Sequence, residues 1–202
     1  MMKNDGYYYD IRNDLNKYPD IWCAIVFGGR NTGKTYSTLR MCVEDGSSFV
    51  YAKRTIEDVK LICAGSTKDS KVAKYNVNLS PFKSLNRDFN WGIKPVMIYD
   101  GLGGFFRTDE EGEPWGDPVG YIVAMSAITK FKGFDMSECD YLIFDEFVPK
   151  MFDRTIRFEG DQILELYKTI SRDREHRGQK PLKLICLANS DNCVSPTTQV
   201  LA

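Results

Sequence analysis

Short apolar runs recur along the chain and alternate with stretches whose apolar residues have helical spacing. The run at 21–27 leads directly into glycines, and the pattern then predicts a helix over Lys34–Glu44. A second strand is predicted over 48–53 and a second helix over 55–63. Strands that alternate with helices are typical of an α/β fold with a mainly parallel central sheet flanked by helices.

The centre of the chain has a weaker pattern. Residues 96–99 and 119–125 have the composition of strands, and the segment between them is rich in turn residues, which predicts a β-hairpin excursion over 96–125. Its acidic cluster at 109–113 is interpreted as a solvated loop tip rather than a metal site. Beyond the hairpin the pattern predicts three more elements: a strand over 141–144, a helix over 162–171 and a strand over 182–187.

Length and composition narrow the class of protein. The 202 residues suit one domain spanning 1–202, and no apolar run approaches the roughly 20 residues that cross a bilayer. The polar, acidic start is unlike a signal peptide, so an intracellular protein without a membrane partner is expected. A net charge of −1 argues against a broad nucleic-acid-gripping face. The six cysteines form no CxxC pair and are interpreted as reduced core residues.

Residues 28–35 read GGRNTGKT, a full match to the phosphate-binding P-loop, or Walker A motif, between a strand and a helix. Its glycines allow successive backbone N–H groups to point at phosphate oxygens, and the following helix adds its positive dipole end. Lys34 is expected at the β- and γ-phosphates, and the Thr35 hydroxyl at Mg²⁺. The predicted nucleotide-binding residues are Gly28, Gly29, Arg30, Asn31, Thr32, Gly33, Lys34, Thr35 and Tyr36.

Two further strands end in polar residues that complete a nucleotide site. The run YLIFDEF at 141–147 has the pattern of a Walker B strand, in which Asp145 is a metal ligand and Glu146 orients and deprotonates the attacking water. The run LICLANS at 184–190 ends at Asn189, which is expected to sense the γ-phosphate or the water. This constellation predicts an ATPase of the additional-strand, catalytic-glutamate (ASCE) division, with Mg²⁺ as cofactor.

Several ordered blocks resemble the DNA-packaging (encapsidation) ATPases of small, short-tailed, protein-primed bacteriophages. The blocks are IVFGGRNTGKTY at 25–36, SFVYAKR at 48–54, YLIFDEF, ISRDRE at 170–175 and LICLANS. They span most of residues 20–196, and the hairpin region matches poorly. Relatives are longer and carry a C-terminal nuclease-like domain, so the chain is interpreted as the ATPase domain of a protein that continues beyond residue 202.

The resemblance implies a homo-oligomeric ring, with five subunits expected, that drives double-stranded DNA into the procapsid through its portal vertex. A packaging RNA is a partner of the best-known relatives. The expected location is the host cytoplasm, with transient attachment to the procapsid.

The resemblance also implies roles for four basic residues. Arg30 matches an arginine that senses the γ-phosphate from the same subunit. Arg172 and Arg174 match a position that supplies an arginine finger to the neighbouring subunit, and Lys132, thirteen positions before Asp145, matches another basic residue proposed to act between subunits. For Arg172 and Arg174 the alternative is a solvated charge at a helix end.

Other interpretations stay open at this level. A phage assembly or secretion ATPase would use the same machinery, and a small-molecule P-loop kinase fits the length. The Asp145–Glu146 pair and Asn189 argue against a kinase, and Glu146 argues against a nucleotide switch without hydrolysis. The tyrosines at 7–9 have two interpretations, packing in the core or stacking on adenine.

Overall fold

The computed structural model describes residues 8–64, 79–131, 133–149, 158–174, 176–189 and 195–201. Its strands are β1 (Cys23–Gly28), β2 (Phe49–Lys53), β3 (Ile93–Tyr99), β4 (Leu102–Thr108), β5 (Pro114–Ala124), β6 (Tyr141–Asp145) and β7 (Lys183–Asn189). Its α-helices are α1 (Ile11–Lys17), α2 (Lys34–Glu44), α3 (Ile56–Cys63), α4 (Lys83–Phe89), α5 (Glu159–Ser171) and α6 (Pro196–Leu201), and Met125–Phe131 forms a 3₁₀ helix.

In the described part of the chain, the strands form one seven-stranded sheet in the order β1-β7-β6-β2-β5-β4-β3. The first five strands in this order run parallel to one another, β4 is antiparallel to β5, and β3 is antiparallel to β4. Strand β7 lies between β1 and β6, with Asn189 beside Gly28 and Leu187 beside Asp145. The carboxyl ends of these three strands therefore meet at one edge of the sheet, named here the catalytic edge.

Helices α2 and α3 begin at features that the sequence supplies. The Thr55 side chain accepts from the backbone N–H of Asp58, and the Asp58 carboxylate accepts from the backbone N–H of Thr55, which makes a complete capping box for α3. Helix α2 begins after Gly33, whose φ of 87° lies in the left-handed region. The predicted α2 has the observed bounds, whereas α5 begins three residues before its predicted start. No helix in the described ranges is both long enough and apolar enough to cross a membrane.

The strands predicted at 96–99 and 119–125 lie within β3 and β5, apart from Met125, but the region is part of the sheet, so its interpretation as an excursion was wrong. Strand β5 pairs in parallel with β2, and β4 pairs between β5 and β3. Two of the glycines that resembled a turn, Gly103 and Gly104, lie inside β4, where a Cβ at Gly103 would stand 3.0 Å from the Cys63 sulfur. Close packing, rather than a turn, requires glycine there. The chain turns at Asp100 and Gly101, between β3 and β4, and again at the tip, where the Asp109 N–H donates to the Glu113 carbonyl at 3.0 Å.

The core lies on both faces of the sheet, and its largest buried residues are aromatic. Phe49, Phe82 and Phe105 are buried, with ring centroids 4.9–6.3 Å apart. Short helices α1 and α4 were not predicted from the sequence, since each has only seven residues. The five described cysteines are free, four of them buried, and Cys193 lies outside the described residues.

Gly120→Ala is expected to lower the free energy of unfolding by about 1–3 kcal/mol. A Cβ at this position would lie 2.6 Å from the Phe49 ring, which is fully buried and packed against Phe82 and Phe105. The measurement is urea unfolding, with Gly133→Ala as the control because its Cβ would meet nothing within 4 Å. Equal stability of the two variants would contradict the tight packing between β2 and β5.

Candidate nucleotide site

The loop between β1 and α2 wraps around the ammonium group of Lys34. The Lys34 Nζ donates to the carbonyl oxygens of Gly28 at 2.8 Å and Gly29 at 2.7 Å, and lies 3.3 Å from Thr32 Oγ1. Burial lowers the pKa of Lys34, and the negative charge of Asp145 opposes that shift. The loop therefore holds a cation at its centre, next to the start of α2.

Asp145 connects this loop to two strands. Its Oδ2 accepts hydrogen bonds from Thr35 Oγ1 at 3.0 Å and from the Tyr51 hydroxyl at 2.6 Å. Its Oδ1 accepts from the backbone N–H of Glu146 at 2.9 Å. Burial raises the pKa of Tyr51 well above its usual value, and the Asp145 charge adds to the shift. Tyr51 thus stays a protonated donor, although the sequence pattern gave it no role.

Glu146 follows directly and has an unusual backbone conformation. Its φ is 54°, a left-handed value that is uncommon for residues other than glycine. The conformation turns the chain at the end of β6, and the Glu146 side chain is 53% exposed. Its carboxylate lies 3.6 Å from Lys53 Nζ, a partner that the sequence analysis also missed. Tyr51 and Lys53 share one face of β2 because side chains alternate along a strand.

The predicted residues surround one cavity. It has a volume of about 380 Å³, and its wall combines the phosphate loop with the ends of β6 and β7. The lining residues are Arg30, Asn31, Thr32, Gly33, Lys34, Thr35, Tyr36, Asp145, Glu146, Ala188 and Asn189. The volume falls in the range of small-molecule sites. Gly28 and Gly29 contribute the carbonyls that hold Lys34 rather than wall atoms.

The N-terminal segment lies against the phosphate loop. The Tyr9 N–H donates to the Thr32 carbonyl at 2.9 Å, and the Tyr9 hydroxyl donates to Asp14 at 2.8 Å while its ring packs on the core. Tyr8 is 48% exposed and stands beside Gly33, where a Cβ would lie 3.3 Å from that of Tyr8. Tyr9 therefore packs, Tyr8 borders the loop surface, and residue 7 lies outside the described residues.

Comparison with solved structures gives three strong likenesses. The bacteriophage Phi-29 viral genome packaging motor assembly matches with a TM-score of 0.64 and 19% identity, over 96% of this chain and 51% of that one. The N-terminal domain of the DNA packaging ATPase from bacteriophage phi29 matches with a TM-score of 0.63 and 21% identity, over 96% of this chain and 85% of that one. The Phi-28 gp11 DNA packaging motor matches with a TM-score of 0.57 and 21% identity, over 90% of this chain and 49% of that one.

The chain has the fold of a phage packaging-ATPase N-terminal domain. It spans about half the length of the two motor chains that it matches. No family model matches the sequence, and no curated protein matches it significantly.

The packaging-ATPase fold separates the two arginines of the ISRDRE block. Arg172 caps α5 and is exposed, whereas Arg174 is only 2% exposed. The Arg174 guanidinium donates to the carbonyls of Ser137 and Cys139, each at 2.6 Å, to the Lys180 carbonyl at 2.9 Å and to Asp140 at 3.0 Å. Its donors are used inside its own chain, so the geometry argues against Arg174 as a residue that reaches a neighbouring subunit. Lys132 lies outside the described residues.

Arg172 is remote from the cavity of its own chain. Helix α5 begins at Glu159, which contacts Arg54 just beyond the end of β2 at the catalytic edge. Its thirteen residues extend about 20 Å, so Arg172 emerges at the opposite edge of the sheet. There Arg174 binds the residues that precede β6. An arginine side chain is too short to return across that distance, so Arg172 cannot contact its own Asp145.

Arg174→Ala is expected to lower the free energy of unfolding by about 3 kcal/mol, because several carbonyl acceptors would lose their buried donor. Arg172→Ala, two positions away and exposed, is expected to change it by less than about 0.5 kcal/mol. Chemical denaturation of both variants measures the difference. A stable Arg174→Ala variant would show that the buried hydrogen bonds are not structural.

Proposed function

We propose that this chain is an ATPase that hydrolyses ATP in the cavity between the phosphate loop and β6. The observation that carries the proposal is the 3.0 Å hydrogen bond from Thr35 to Asp145, which brings the Walker A and Walker B residues together. Glu146 and Asn189 line the same cavity. One binding site thus contains a phosphate cradle, a pair of oxygen donors for a cation and a candidate base.

The residues of the cavity fit Mg²⁺ and a nucleoside triphosphate. The Thr35 hydroxyl and the Asp145 carboxylate are adjacent hard oxygen donors, the type that Mg²⁺ prefers when phosphate oxygens complete its shell. When bound, Mg²⁺ would neutralise negative charge on the β- and γ-phosphates. Backbone N–H groups of the loop would bind the phosphate oxygens, and Lys34 would exchange its loop carbonyls for them.

Glu146 is the proposed general base. Its carboxylate is solvent-accessible at the cavity wall, where it could accept a proton from a water that attacks the terminal phosphate. The Lys53 ammonium lies 3.6 Å from that carboxylate. Asn189 would bind the same water or the γ-phosphate from the end of the neighbouring strand, and Arg30 would contact the phosphates from the exposed side of the loop.

The strand order supports membership of the additional-strand, catalytic-glutamate division. Strand β7 lies between the strand that enters the phosphate loop and the strand that ends in Asp145. An inserted strand at this place gives the cavity a third polar strand end, Asn189. Together with the glutamate after Asp145, it favours hydrolysis by water over transfer to a small-molecule acceptor.

The likeness in fold to phage packaging motors supports a packaging role. We infer that the chain works as a homo-oligomeric ring on the procapsid and moves double-stranded DNA inward. The position of Arg172, remote from its own cavity and exposed, supports a head-to-tail arrangement in which it serves the next subunit. Five subunits, a portal contact and a packaging RNA stay implications of the sequence resemblance.

Glu146→Gln is expected to bind Mg-ATP within about threefold of the wild type and to hydrolyse it at least tenfold more slowly, because the amide cannot accept the proton. The assay follows phosphate release without any small-molecule acceptor, with and without long duplex DNA. Lys34→Ala is the control, since it should lose binding as well as turnover. Turnover above a tenth of the wild-type rate in Glu146→Gln would remove Glu146 as the base, and acceptor-dependent turnover would identify a kinase.

Arg172→Ala is expected to bind ATP normally and to lose about 10³-fold in kcat, because a finger acts mainly in the transition state. Mixing it with Glu146→Gln should restore part of the activity at concentrations where mixed rings form. At some interfaces in a mixed ring, the Arg172→Ala subunit supplies Glu146 and a neighbouring Glu146→Gln subunit supplies Arg172, so one complete site forms. Mixed rings that form but stay inactive would show that Arg172 does not act across the interface.

A further inference from the structure

Arg54 is a buried charge next to the candidate site, and none of the proposed chemical steps uses it. It follows β2 and is 9% exposed. Its Nε donates to Glu159 Oε1 at 3.0 Å, its Nη2 donates to the backbone carbonyl of Phe147, and its guanidinium lies 5.5 Å from the Phe144 ring centroid. One side chain therefore joins the end of β2, strand β6, the residue after Glu146 and the first turn of α5.

Its partner Glu159 is completely buried. Among the described residues, no hydrogen-bond partner contacts Glu159 Oε2, and burial raises the pKa of the carboxyl group while Arg54 opposes the shift. A buried ion pair of this kind gives little net stability compared with well-packed apolar residues. It does fix the position of both side chains, because neither charge can move without losing its partner.

The hydrogen bond from Arg54 to the Phe147 carbonyl places Arg54 next to the backbone of Glu146. Glu146 has a left-handed backbone, which its neighbours must stabilise. The Glu146 N–H is held by Asp145 Oδ1 at 2.9 Å, and the Phe147 N–H is held by the Leu187 carbonyl at 3.2 Å. Arg54 binds the carbonyl of that same residue, Phe147. The two N–H bonds fix the peptide units on either side of Glu146, and Arg54 fixes the next unit, between Phe147 and Val148.

We propose that Arg54 is a positioning residue for Glu146. Anchored by Glu159, it holds the Phe147 carbonyl and so keeps the preceding glutamate in the left-handed conformation that turns its carboxylate to the cavity. The effect on catalysis rests on the proposed ATPase function, whereas the effect on the backbone does not. A shift of about 1 Å in a reacting group can lower a rate by about 100-fold, so loss of this contact should reduce turnover more than binding.

Two variants test the proposal. Arg54→Lys keeps a positive charge opposite Glu159 but replaces the planar fork that spans a carboxylate and a carbonyl. If Arg54→Lys is unstable, the double variant Arg54→Met with Glu159→Leu replaces it. This variant removes both buried charges together and is expected to fold, because no unpaired charge is left. Both are expected to bind Mg-ATP within about threefold of the wild type and to lose about 10- to 100-fold in kcat. Arg87→Lys, an exposed arginine on α4, is the matched control and should change neither value.

The two readouts separate positioning from general loss of structure. In the Glu146→Gln background, Arg54→Lys should cause no further loss of the residual rate, since its effect passes through Glu146. Hydrogen exchange of the Glu146 and Phe147 amides should become at least about tenfold faster in Arg54→Lys, with no change in the amides of α2. Equal losses with and without Glu146, or unchanged exchange at both amides, would overturn the proposal. If the wild type does not hydrolyse ATP, the proposed function fails, and the exchange measurement still decides the role of Arg54.

Discussion

The structure of the site depends on one carboxylate. Asp145 Oδ2 accepts hydrogen bonds from Thr35 on α2 and from Tyr51 on β2, and Oδ1 accepts from the backbone of Glu146. These bonds connect the helix that follows the phosphate loop to two strands in the middle of the sheet. Because the donors come from separate elements, the carboxylate sets the distance between the loop and the candidate base. Hydrogen bonds to a charged group are among the stronger ones in proteins, which suits this central role.

Parallel strands explain why the polar residues converge. Gly28, Asp145 and Asn189 all stand at the carboxyl ends of adjacent parallel strands, so Asp145 and Asn189 line the same cavity as the loop that follows Gly28. The turn that carries Arg172 follows a helix that crosses the sheet in the opposite direction, and it emerges at the other edge. A subunit with its cavity on one edge and an exposed arginine on the other suits the heterologous contacts of a ring.

Two buried arginines hold the loops around this arrangement. Arg54 joins the end of β2 to Phe147 and Glu159, and Arg174 joins the turn after α5 to the residues before β6. A guanidinium has five N–H donors in a fixed plane, so a single side chain can satisfy several carbonyl groups that no regular element pairs. Each arginine lies close in sequence to a basic residue in a different environment: Lys53, which pairs with Glu146, or the exposed Arg172.

The sequence by itself determined the phosphate loop, the bounds of α2, the Asp145–Glu146 strand end and the α/β class, because these depend on local glycine spacing and on runs of apolar residues. It predicted the strands at 96–99 and 119–125 but missed β4 and placed the region outside the sheet, since glycines that pack closely inside β4 have the same pattern as a turn. It could not distinguish Arg172 from Arg174, or find Tyr51, Lys53 and Arg54. Their roles come from partners about 35 to 105 positions away in the chain, and only the tertiary structure brings those partners into contact.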